Sequence, residues 1–450
     1  MNDVVAKGEE VAEAAREALI TNDAVVLGLL MITLAAIFYT SSLKSWKKFY
    51  GVIPALLLCY FIPSVYNTIG LIDGKESRLY FVASRYLLPT SLVLLTLSID
   101  LKGILRLGPK ALIMFLTATV GIVIGGPVAY LAYQAFPASW QMGDEEVWRG
   151  MTTVAGSWIG GSANQTAMRE IFKPSDPLYS IMVAVDVIVA NVWMAFLLIG
   201  AGRSDAIDRA FGADNSAIAD LKKRVENYQA SISKLPNLSD TMKVLGVGFA
   251  ATAIGHFGAD LISPAIGGFI TATKDAAIAQ YGSIEAAPDG GSLGTALLLE
   301  RASLSNSFFW LIVISTTIGL ILSFTKARKL EGVGASRLGS VMIYILVATI
   351  GMEMDISAIW ENPQLFLLGL IWMLVHVALL LGVAKLIKAP FFFVAVGSQA
   401  NVGGAASAPV VASAFSPALA PVGVLLAVFG YFLGTYAAYF CGLIMQSLAN

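Results

Sequence analysis

Charged residues are scarce in this sequence. They make up 13% of the 450 residues, whereas 57% are hydrophobic, and soluble domains typically carry about 25% charged residues. A soluble protein of this composition would have too few polar side chains to cover its surface. Lipid is therefore the expected solvent for most of the chain. The formal net charge of −1 argues against a nucleic-acid partner.

Residues that build metal, disulfide and redox sites are also rare. The two cysteines, Cys59 and Cys441, each lie within an apolar run, and we interpret them as small packing residues. With only two histidines, His256 and His376, the sequence has few side chains that could bind a resident metal ion. Na⁺ is therefore the one cofactor that we consider. The sequence has no nucleotide-binding loop, and its Ser-rich stretches lack a base partner. We expect neither an enzyme nor an ATP-driven pump.

Long apolar runs dominate the rest of the sequence. Residues 1–22 are acidic and lack the basic region of a signal peptide, so we expect the first apolar run to be a retained helix. Backbone groups in hydrocarbon must bond within their own segment, so each span is a helix of about 20 residues. The predicted spans lie near 24–40, 49–70, 80–99, 111–134, 149–168, 178–200, 243–258, 303–323, 338–354, 364–387, 391–413 and 418–446, with 259–272 ambiguous.

Basic residues predict the orientation of these spans, because short cytoplasmic loops are enriched in lysine and arginine. The basic residues after the first, third and fifth spans indicate an outside amino terminus; they are Lys44, Lys47, Lys48, Lys102, Arg106, Lys110, Arg169 and Lys173. In the second half Lys385 and Lys388 follow the 364–387 span, so this half runs in the opposite sense. For both halves to have these orientations, the 243–272 region must cross the membrane an even number of times, which gives 11 or 13 spans in total. The 201–242 stretch then lies outside despite its basic residues.

Two polar stretches interrupt the apolar runs. Residues 201–242 mix acidic and basic side chains in a pattern that predicts an extramembrane linker with a surface helix. Residues 273–300 predict a polar, Gly-rich loop. We place the first inverted repeat at 1–200, containing an amino-terminal tail and six spans, and the second at 243–450.

A short motif occurs once in each half. Residues 156–168 read GSWIGGSANQTAM and residues 396–411 read VGSQANVGGAASAPVV. Aligning the glycine pairs matches Gly160-Gly161 with Gly403-Gly404. Equivalent Gly-interrupted segments in opposed halves are a sequence indicator of a transporter's binding site.

A helix broken at a glycine pair exposes backbone amides and carbonyls, which membrane proteins tolerate where they line a cavity or bind a ligand. Oxygen-rich side chains beside the break suit a monovalent cation or a polar solute. The candidate binding residues are Ser157, Gly160, Gly161, Ser162, Asn164, Gln165, Ser398, Gln399, Asn401, Gly403, Gly404 and Ser407, with Na⁺ candidates at Asn164, Gln165, Gln399 and Asn401. The alternative is that these small residues only let helices pack closely.

Asp186 lies in the middle of the predicted 178–200 span. A carboxylate at that depth is costly, so it indicates either a function or a structural hydrogen-bonded pair. We expect it to face the first broken segment and to couple transport to an ion, and we include Asn191 as a neighbouring candidate.

Other ionisable residues have more ordinary explanations. Arg85 either pairs with Asp186 or extends towards the membrane surface, and His376 is expected to be a hydrogen-bonded interior residue. Glu353 and Asp355, like Asp100 in the first half, are interfacial charges or part of an access path.

At the two Gly motifs the chain resembles a bacterial and plastid membrane family known as domain of unknown function 819. That family is grouped with the cation:proton antiporter and anion transporter superfamily. The resemblance implies an all-α polytopic fold of 11–13 transmembrane helices, with a panel domain and a core domain in which two discontinuous helices cross. Sodium/proton antiporters of that superfamily carry an Asp-Asp or Asn-Asp pair where this chain has Val185-Asp186. The single acid favours one-acid exchange or sodium symport.

Three functions fit these observations. The first is an elevator-like carrier that couples a small solute to Na⁺ or protons, and the second is a monovalent cation/proton antiporter that uses Asp186. The third is a channel or a non-transporting scaffold. The expected location is the bacterial inner membrane, with lipid and a small solute or ion as partners, and the resemblance also implies a homodimer.

Overall fold

The computed structural model describes residues 19–449, apart from 51–52, 54, 75, 100–106, 144–145, 214–235, 285, 289, 302–303, 354–361 and 417–418. The described residues form helices joined by short connections, with one isolated β-bridge between Ile20 and Ile72. The predicted class, an all-α polytopic membrane protein, is confirmed. Of the sequence candidates, Asp100, Lys102, Arg106 and Asp355 lie outside the described residues.

Fifteen helices are used to describe the fold within these ranges. They are α1 Asp23–Ser42, α2 Ala55–Thr68, α3 Leu79–Leu97, α4 Pro109–Gln134, α5 Val147–Phe172, α6 Asp176–Ala201, α7 Ser204–Phe211, α8 Leu238–Tyr281, α9 Gly291–Arg301, α10 Ser307–Ser323, α11 Ala335–Gly351, α12 Gln364–Leu386, α13 Phe391–Val402, α14 Gly404–Phe415 and α15 Ala420–Ala449. Short helical turns lie at Lys44–Trp46, Lys47–Tyr50, Ala138–Trp140 and Lys326–Val333. Among the described residues, seven helices are long and apolar enough to cross a membrane: α1, α3, α4, α6, α8, α12 and α15.

Polar side chains start several of these helices. Asn22 accepts from the amide of Ala24 at 2.9 Å, and Asn237 and Asp240 form a reciprocal capping box at the start of α8. The first amides of a helix have no partner within it, so these caps supply one. Each cap therefore helps to fix where a long apolar helix begins.

The helices run between two ends of the bundle. At one end Gln134, which closes α4, donates to the carbonyl of Leu448 in the last helix at 3.1 Å; we call this the terminal end. At the other, Lys110 donates to the carbonyl of Lys388 at 2.8 Å; we call this the basic end. Helices α1, α2, α3, α8, α10 and α11 pack together as a panel, and α4, α5, α6, α12, α13, α14 and α15 pack together as a core.

Two predicted spans fold back on themselves. In α5 the backbone leaves the helical conformation at Gly160 (φ −139°, ψ 15°) and Gly161 (φ 73°, ψ −175°), and the second conformation is essentially restricted to glycine. Arg149 consequently donates to the carbonyl of Phe172 at 2.8 Å, whereas a straight helix would separate these residues by about 35 Å. We call residues 147–172 hairpin 1.

The second Gly motif folds in the same way. Helices α13 and α14 meet at Gly403 and Gly404, and Gly404 has a φ of 59°. The ring of Phe392, at the start of α13, lies 5.3 Å from that of Phe415, at the end of α14. We call residues 391–415 hairpin 2.

The two hairpins enter the bundle from opposite ends. Phe172, at the base of hairpin 1, packs beside Gly442 towards the terminal end, whereas hairpin 2 starts directly after Lys388 at the basic end. The expectation of discontinuous helices is met at both glycine pairs. The two arms of each hairpin, however, return to the end that they came from, so the discontinuous helices do not cross as expected. Within the described residues, ten helices then run from one end towards the other, beside two hairpins.

Helix α8 corrects two expectations about the second half. It continues through Pro264 as a single helix of 44 residues, about 66 Å long. The ambiguous 259–272 segment is therefore part of one helix, and the prediction of an even number of crossings is wrong. The 273–300 region is not a loop throughout, because α8 extends to Tyr281 and α9 begins at Gly291.

The linker begins at the basic end. The amide of Phe391 donates to Asp208 of α7 at 2.7 Å. Because hairpin 1 does not cross the bundle, the described part of the linker lies with Lys110 and Lys388, and its predicted placement away from the other basic loops is wrong. For the same reason Arg169 and Lys173 lie at the terminal end, so their predicted grouping with Lys44 and Lys110 on one side is also wrong. Residues 214–235 lie outside the described part, and the division of the chain into repeats at this linker stays a prediction.

Candidate functional site

The tips of the two hairpins meet beside a cavity of about 290 Å³ in the middle of the bundle. Nine predicted site residues line it: Ser157, Gly161, Ser162, Asp186, Asn191, Gln399, Gly403, Gly404 and Ser407. The other five, Gly160, Asn164, Gln165, Ser398 and Asn401, lie behind this wall. The structure thus separates residues that face the cavity from residues that hold its walls in place.

Asn164 holds the tip of hairpin 1 against α15. Its amide nitrogen donates to the carbonyls of Gly160 at 3.0 Å and Tyr431 at 2.9 Å, and its oxygen accepts from Thr435 at 2.7 Å. The side chain is fully buried. Close approach is needed here, since a Cβ on Gly434 would lie 2.6 Å from the Cα of Gly160.

Asn401 plays the matching part in hairpin 2. Its amide nitrogen donates to the carbonyls of Gly397 at 3.0 Å and Phe115 at 3.1 Å, and its oxygen accepts from Thr119 at 2.8 Å. Each asparagine thus uses both amide hydrogens and its oxygen within the protein. Neither Asn164 nor Asn401 lines the cavity, so both predicted Na⁺ candidates hold the hairpin tips in place.

Asp186 is the only charged side chain among the described residues that line the cavity. It is 5% exposed and accepts from Gln165 at 2.9 Å, while the oxygen of Gln165 accepts from Tyr60 of the panel helix α2 at 3.1 Å. Burying a carboxylate costs several kcal/mol unless it is paired or bound. The bond from Gln165, with the polar side chains of Ser157 and Trp158 also beside the carboxylate, offsets part of that cost, and a cation in the cavity would offset much more.

Gln399 supplies a second polar group whose hydrogen-bonding capacity is only partly used. Its nitrogen donates to Ser407 at 2.7 Å, and its oxygen is buried with no hydrogen-bond partner. The residue is 2% exposed and lines the cavity. A buried carbonyl oxygen without a partner is costly, so this position suits a ligand that brings a cation or a donor.

Ser398 faces away from the cavity and forms part of the hairpin 2 framework. It accepts from Trp193 at 2.8 Å and lies 2.8 Å from Nε2 of His376. The other ring nitrogen of His376 lies 3.1 Å from the carbonyl of Ala118 and must donate to it, so Nε2 accepts from the Ser398 hydroxyl. The expectation of a hydrogen-bonded interior histidine is confirmed, and Ser398 is better explained by framework contacts than by ligand binding.

Several cavity residues were missed by sequence reasoning. Helices α3 and α11 of the panel contribute Leu95, Ser340, Ile343 and Tyr344, and α15 contributes Tyr431. They lie outside the two Gly motifs, so comparing the halves of the sequence could not find them. The small pair Gly339-Ser340 within an apolar helix was the one local sign, since a Cβ on Gly339 would lie 3.2 Å from Leu95.

Arg85 does not pair with Asp186, which was one of the two sequence interpretations. It donates to Glu170 of hairpin 1 at 2.8 Å, towards the terminal end. The sequence could not indicate this partner, because the return of hairpin 1 to the terminal end brings Glu170 back beside α3.

The comparisons with known proteins agree with this description of a helical membrane protein. The family described as "Protein of unknown function (DUF819)" matches residues 28–448. The chain is also 25% identical over 388 residues to the uncharacterized membrane protein YjcL of Bacillus subtilis (strain 168), covering 84% of this chain and 86% of that protein. A family match over nearly the whole length settles membership. The chain belongs to the DUF819 family of membrane proteins.

Proposed function

We propose that the protein is an ion-coupled secondary transporter that binds a small solute and a cation between the tips of hairpins 1 and 2. One observation carries the proposal. Two hairpins enter from opposite ends and meet at a cavity that holds the buried Asp186 carboxylate and the unpaired oxygen of Gln399. Groups of this kind in the middle of a membrane are costly unless they bind something polar.

The chemistry of the cavity supports a cation together with a small polar solute. Asp186 and the Gln399 oxygen are acceptors, which suit Na⁺ or a protonated group. The second arms of the hairpins begin at Ser162 and Gly404 on the cavity wall, and helix amino termini carry a partial positive charge that favours anionic groups. We place Na⁺ near Asp186 and Gln399, with Gln165 orienting the carboxylate.

The arrangement of helices supports elevator-like alternating access. Helices α1 to α6 run alternately from the terminal end, with hairpin 1 entering from that end. Helices α8 to α15, without the short α9, follow the same order with every direction reversed, and hairpin 2 enters from the basic end. This is the order that an inverted repeat would produce, and such repeats underlie two opposite-facing states. In this proposal the core carries the site past the panel.

The basic end is proposed to face the cytoplasm. Lys44, Lys110, Arg203, Lys326 and Lys388 lie at this end, and short cytoplasmic loops are enriched in such residues. We place the protein in the inner membrane of a bacterium, as a multi-pass protein that assembles as a homodimer through its panel.

A second candidate is monovalent cation/proton exchange at Asp186. The observation that favours it is the single carboxylate in the cavity, which could hold a proton or a metal ion in turn. This exchange needs no organic solute. The two candidates therefore differ in what crosses the membrane together with the cation.

Flux into proteoliposomes tests both candidates. Vesicles are loaded with a pH-sensitive dye, given an inward gradient of NaCl, LiCl or choline chloride, and screened with radiolabelled amino acids and small carboxylates. Na⁺-stimulated solute uptake supports symport, and proton movement on adding NaCl without solute supports exchange. Solute flux that ignores every ion gradient would indicate a channel and overturn the proposal.

A further inference from the structure

A cluster of buried and partly buried ionic groups joins hairpin 1 to the panel at the terminal end, away from the cavity. Arg169, at the base of the second arm, is 9% exposed and donates to Glu353, just beyond α11, at 2.9 Å. The same nitrogen donates to Asp176 at 2.9 Å, at the start of α6. One arginine therefore bridges a core helix and the panel.

The neighbouring residue makes a second bridge. Glu170 accepts from Arg85 of α3 at 2.8 Å and also from the hydroxyl of Tyr80 on the same helix. Its backbone carbonyl accepts from Asn306, which caps the panel helix α10, at 3.2 Å. Arg85 lies in a π-helical turn of α3, Ala83–Leu87, and such turns are frequent at functional sites.

The Arg169–Glu353 and Arg85–Glu170 pairs are more shielded from solvent than surface ion pairs. The Glu353 side chain is 16% exposed, and burial raises the pKa of its carboxyl while Arg169 opposes that shift. The Arg169 guanidinium also lies 4.6 Å from the ring centroid of Tyr80 and 4.8 Å from that of Tyr179. Breaking one side of such a cluster leaves a buried charge without its partner.

The cluster is connected to the cavity through one arm. Gln165 and Arg169 are four residues apart on the second arm of hairpin 1, so they lie on the same helix face one turn apart. Gln165 holds Asp186, and Arg169 holds Glu353. The residue that contacts Asp186 is thus one helical turn from the residue that contacts the panel, so ligand binding at Asp186 can affect the Arg169–Glu353 bond.

The cavity lies on the opposite side of the hairpin 1 tip from this cluster. Its panel wall is formed by Leu95, two residues before the end of α3 at the basic end, and by Ser340, Ile343 and Tyr344, which lie within the first ten residues of α11 counted from the basic end. Among the described residues, the hydrogen bonds that hairpin 2 makes to other helices run to α4, α6, α7 and α12. None of these bonds reaches the panel, so hairpin 2 has no counterpart of the ionic cluster.

We infer that Arg169–Glu353 and Glu170–Arg85 form a latch that holds hairpin 1 on the panel and closes the terminal end while the cavity faces the basic end. The inference rests on the proposed transporter, since a core that moves past the panel must first break these bonds. Opening the latch lets the cavity reach the terminal end. The latch accounts for why Arg169 is buried, and why Glu170, Glu353 and Arg85 are largely shielded, where the base of hairpin 1 meets the panel.

Thiol labelling from each side of the membrane tests the latch. The two native cysteines are replaced (Cys59→Ala, Cys441→Ala), and Ser162→Cys places a reporter on the cavity wall. A membrane-impermeant maleimide is applied to right-side-out and inside-out vesicles. We expect the parent to label from the basic end. Glu353→Gln and Glu170→Gln should each raise labelling from the terminal end at least about tenfold, as expected for loss of one charge-assisted bond.

Two further variants separate the latch from general effects. Glu300→Gln removes the Lys274 pair between α8 and α9, the same chemical change away from hairpin 1, and should leave labelling unchanged. Exchanging the charges (Arg85→Glu with Glu170→Arg) keeps one bridge and should keep parental labelling even where a single variant proves too unstable to purify.

Unchanged labelling from the terminal end in both glutamine variants would overturn the latch, as would an equal effect of Glu300→Gln. The readout is accessibility, not flux. A parent that shows no ion-coupled uptake would therefore remove the proposed function without deciding this test, and a failed latch would leave the flux result standing.

Discussion

Hairpins 1 and 2 share one construction but are anchored differently. Each reverses at a glycine pair, and each is held by an asparagine that makes three hydrogen bonds. Hairpin 1 ends in buried charges that reach the panel through Glu353 and Arg85. Hairpin 2 instead begins with Phe391, Phe392 and Phe393 packed among core side chains.

This difference indicates which hairpin limits movement. An apolar base costs little to slide along other apolar surfaces, because contacts are exchanged rather than lost. Paired charges cannot separate without new partners or water. Hairpin 2 therefore moves with the core, whereas hairpin 1 must be released from the panel before the core can move.

The largest effect is expected at Asp186, which bonds to hairpin 1 and not to hairpin 2. Asp186→Asn keeps the shape and removes the charge that attracts a cation. Ion-stimulated flux should fall roughly 5- to 150-fold, the usual range for loss of coupling between two ligands. Flux in proteoliposomes with and without NaCl measures this, with the exposed Asp275→Asn as a matched control. Unchanged ion dependence would remove Asp186 from the mechanism.

The two tips should differ in their tolerance of a side chain. Gly161→Ala should cost about 3 kcal/mol, the upper range for a residue forced into a glycine-only conformation, and its Cβ would also lie 3.3 Å from Tyr431. Gly404→Ala should cost about 1 kcal/mol, because a positive φ is its only penalty and the space around it is open. Thermal unfolding in detergent measures both. Gly28→Ala, on an open helix surface, should be neutral or slightly stabilising, and equal losses at the two tips would contradict the comparison.

The framework asparagines and the cavity glutamine should separate stability from binding. Asn164→Ala and Asn401→Ala each remove three buried hydrogen bonds and should cost about 2–3 kcal/mol of unfolding free energy. Gln399→Met removes an oxygen that has no partner together with the one bond from its nitrogen to Ser407. The unfolding free energy should therefore fall by only about 0.5–1.5 kcal/mol, while the Na⁺ concentration for half-maximal stimulation should rise about tenfold. Thermal shift and flux across a NaCl titration measure the two quantities. A Gln399→Met variant with parental Na⁺ dependence would exclude that oxygen as a ligand.

Much of the fold was predictable because lipid imposes simple rules on sequence. Helices α1, α3, α4, α6, α12 and α15 fall close to their predicted spans, since each is an apolar run of sufficient length. The glycine pairs also indicated where two helices break. Composition cannot say whether a broken helix continues or returns, because that depends on the backbone angles at Gly161 and on packing against α15.

The candidate site was predictable where a residue stands out in its segment or where a motif occurs twice. Asp186 and Gln399 were found because one is a charge in an apolar helix and the other lies in a repeated motif. Ser340 and Tyr344 belong to a panel helix without either feature, so they emerge only when the panel packs against the tips. Glu353 was identified as an end-of-helix charge, but its partner depends on the return of hairpin 1, which brings Arg169 to the terminal end.

The smallest effect is expected at Tyr60, the panel residue that reaches the cavity end of hairpin 1. Tyr60→Phe removes one hydrogen bond to Gln165 and should cost about 0.5–1.5 kcal/mol. Because Gln165 orients Asp186, we expect that loss mainly as a several-fold rise in the Na⁺ concentration for half-maximal flux, with little change in thermal unfolding. Tyr66→Phe is the matched control on the same helix, since its hydroxyl pairs with Thr33 at 3.0 Å within the panel. Equal shifts in both variants would mean that the panel influences the cavity only through general stability, and hairpin 1 would then lose its distinction from hairpin 2 at this position.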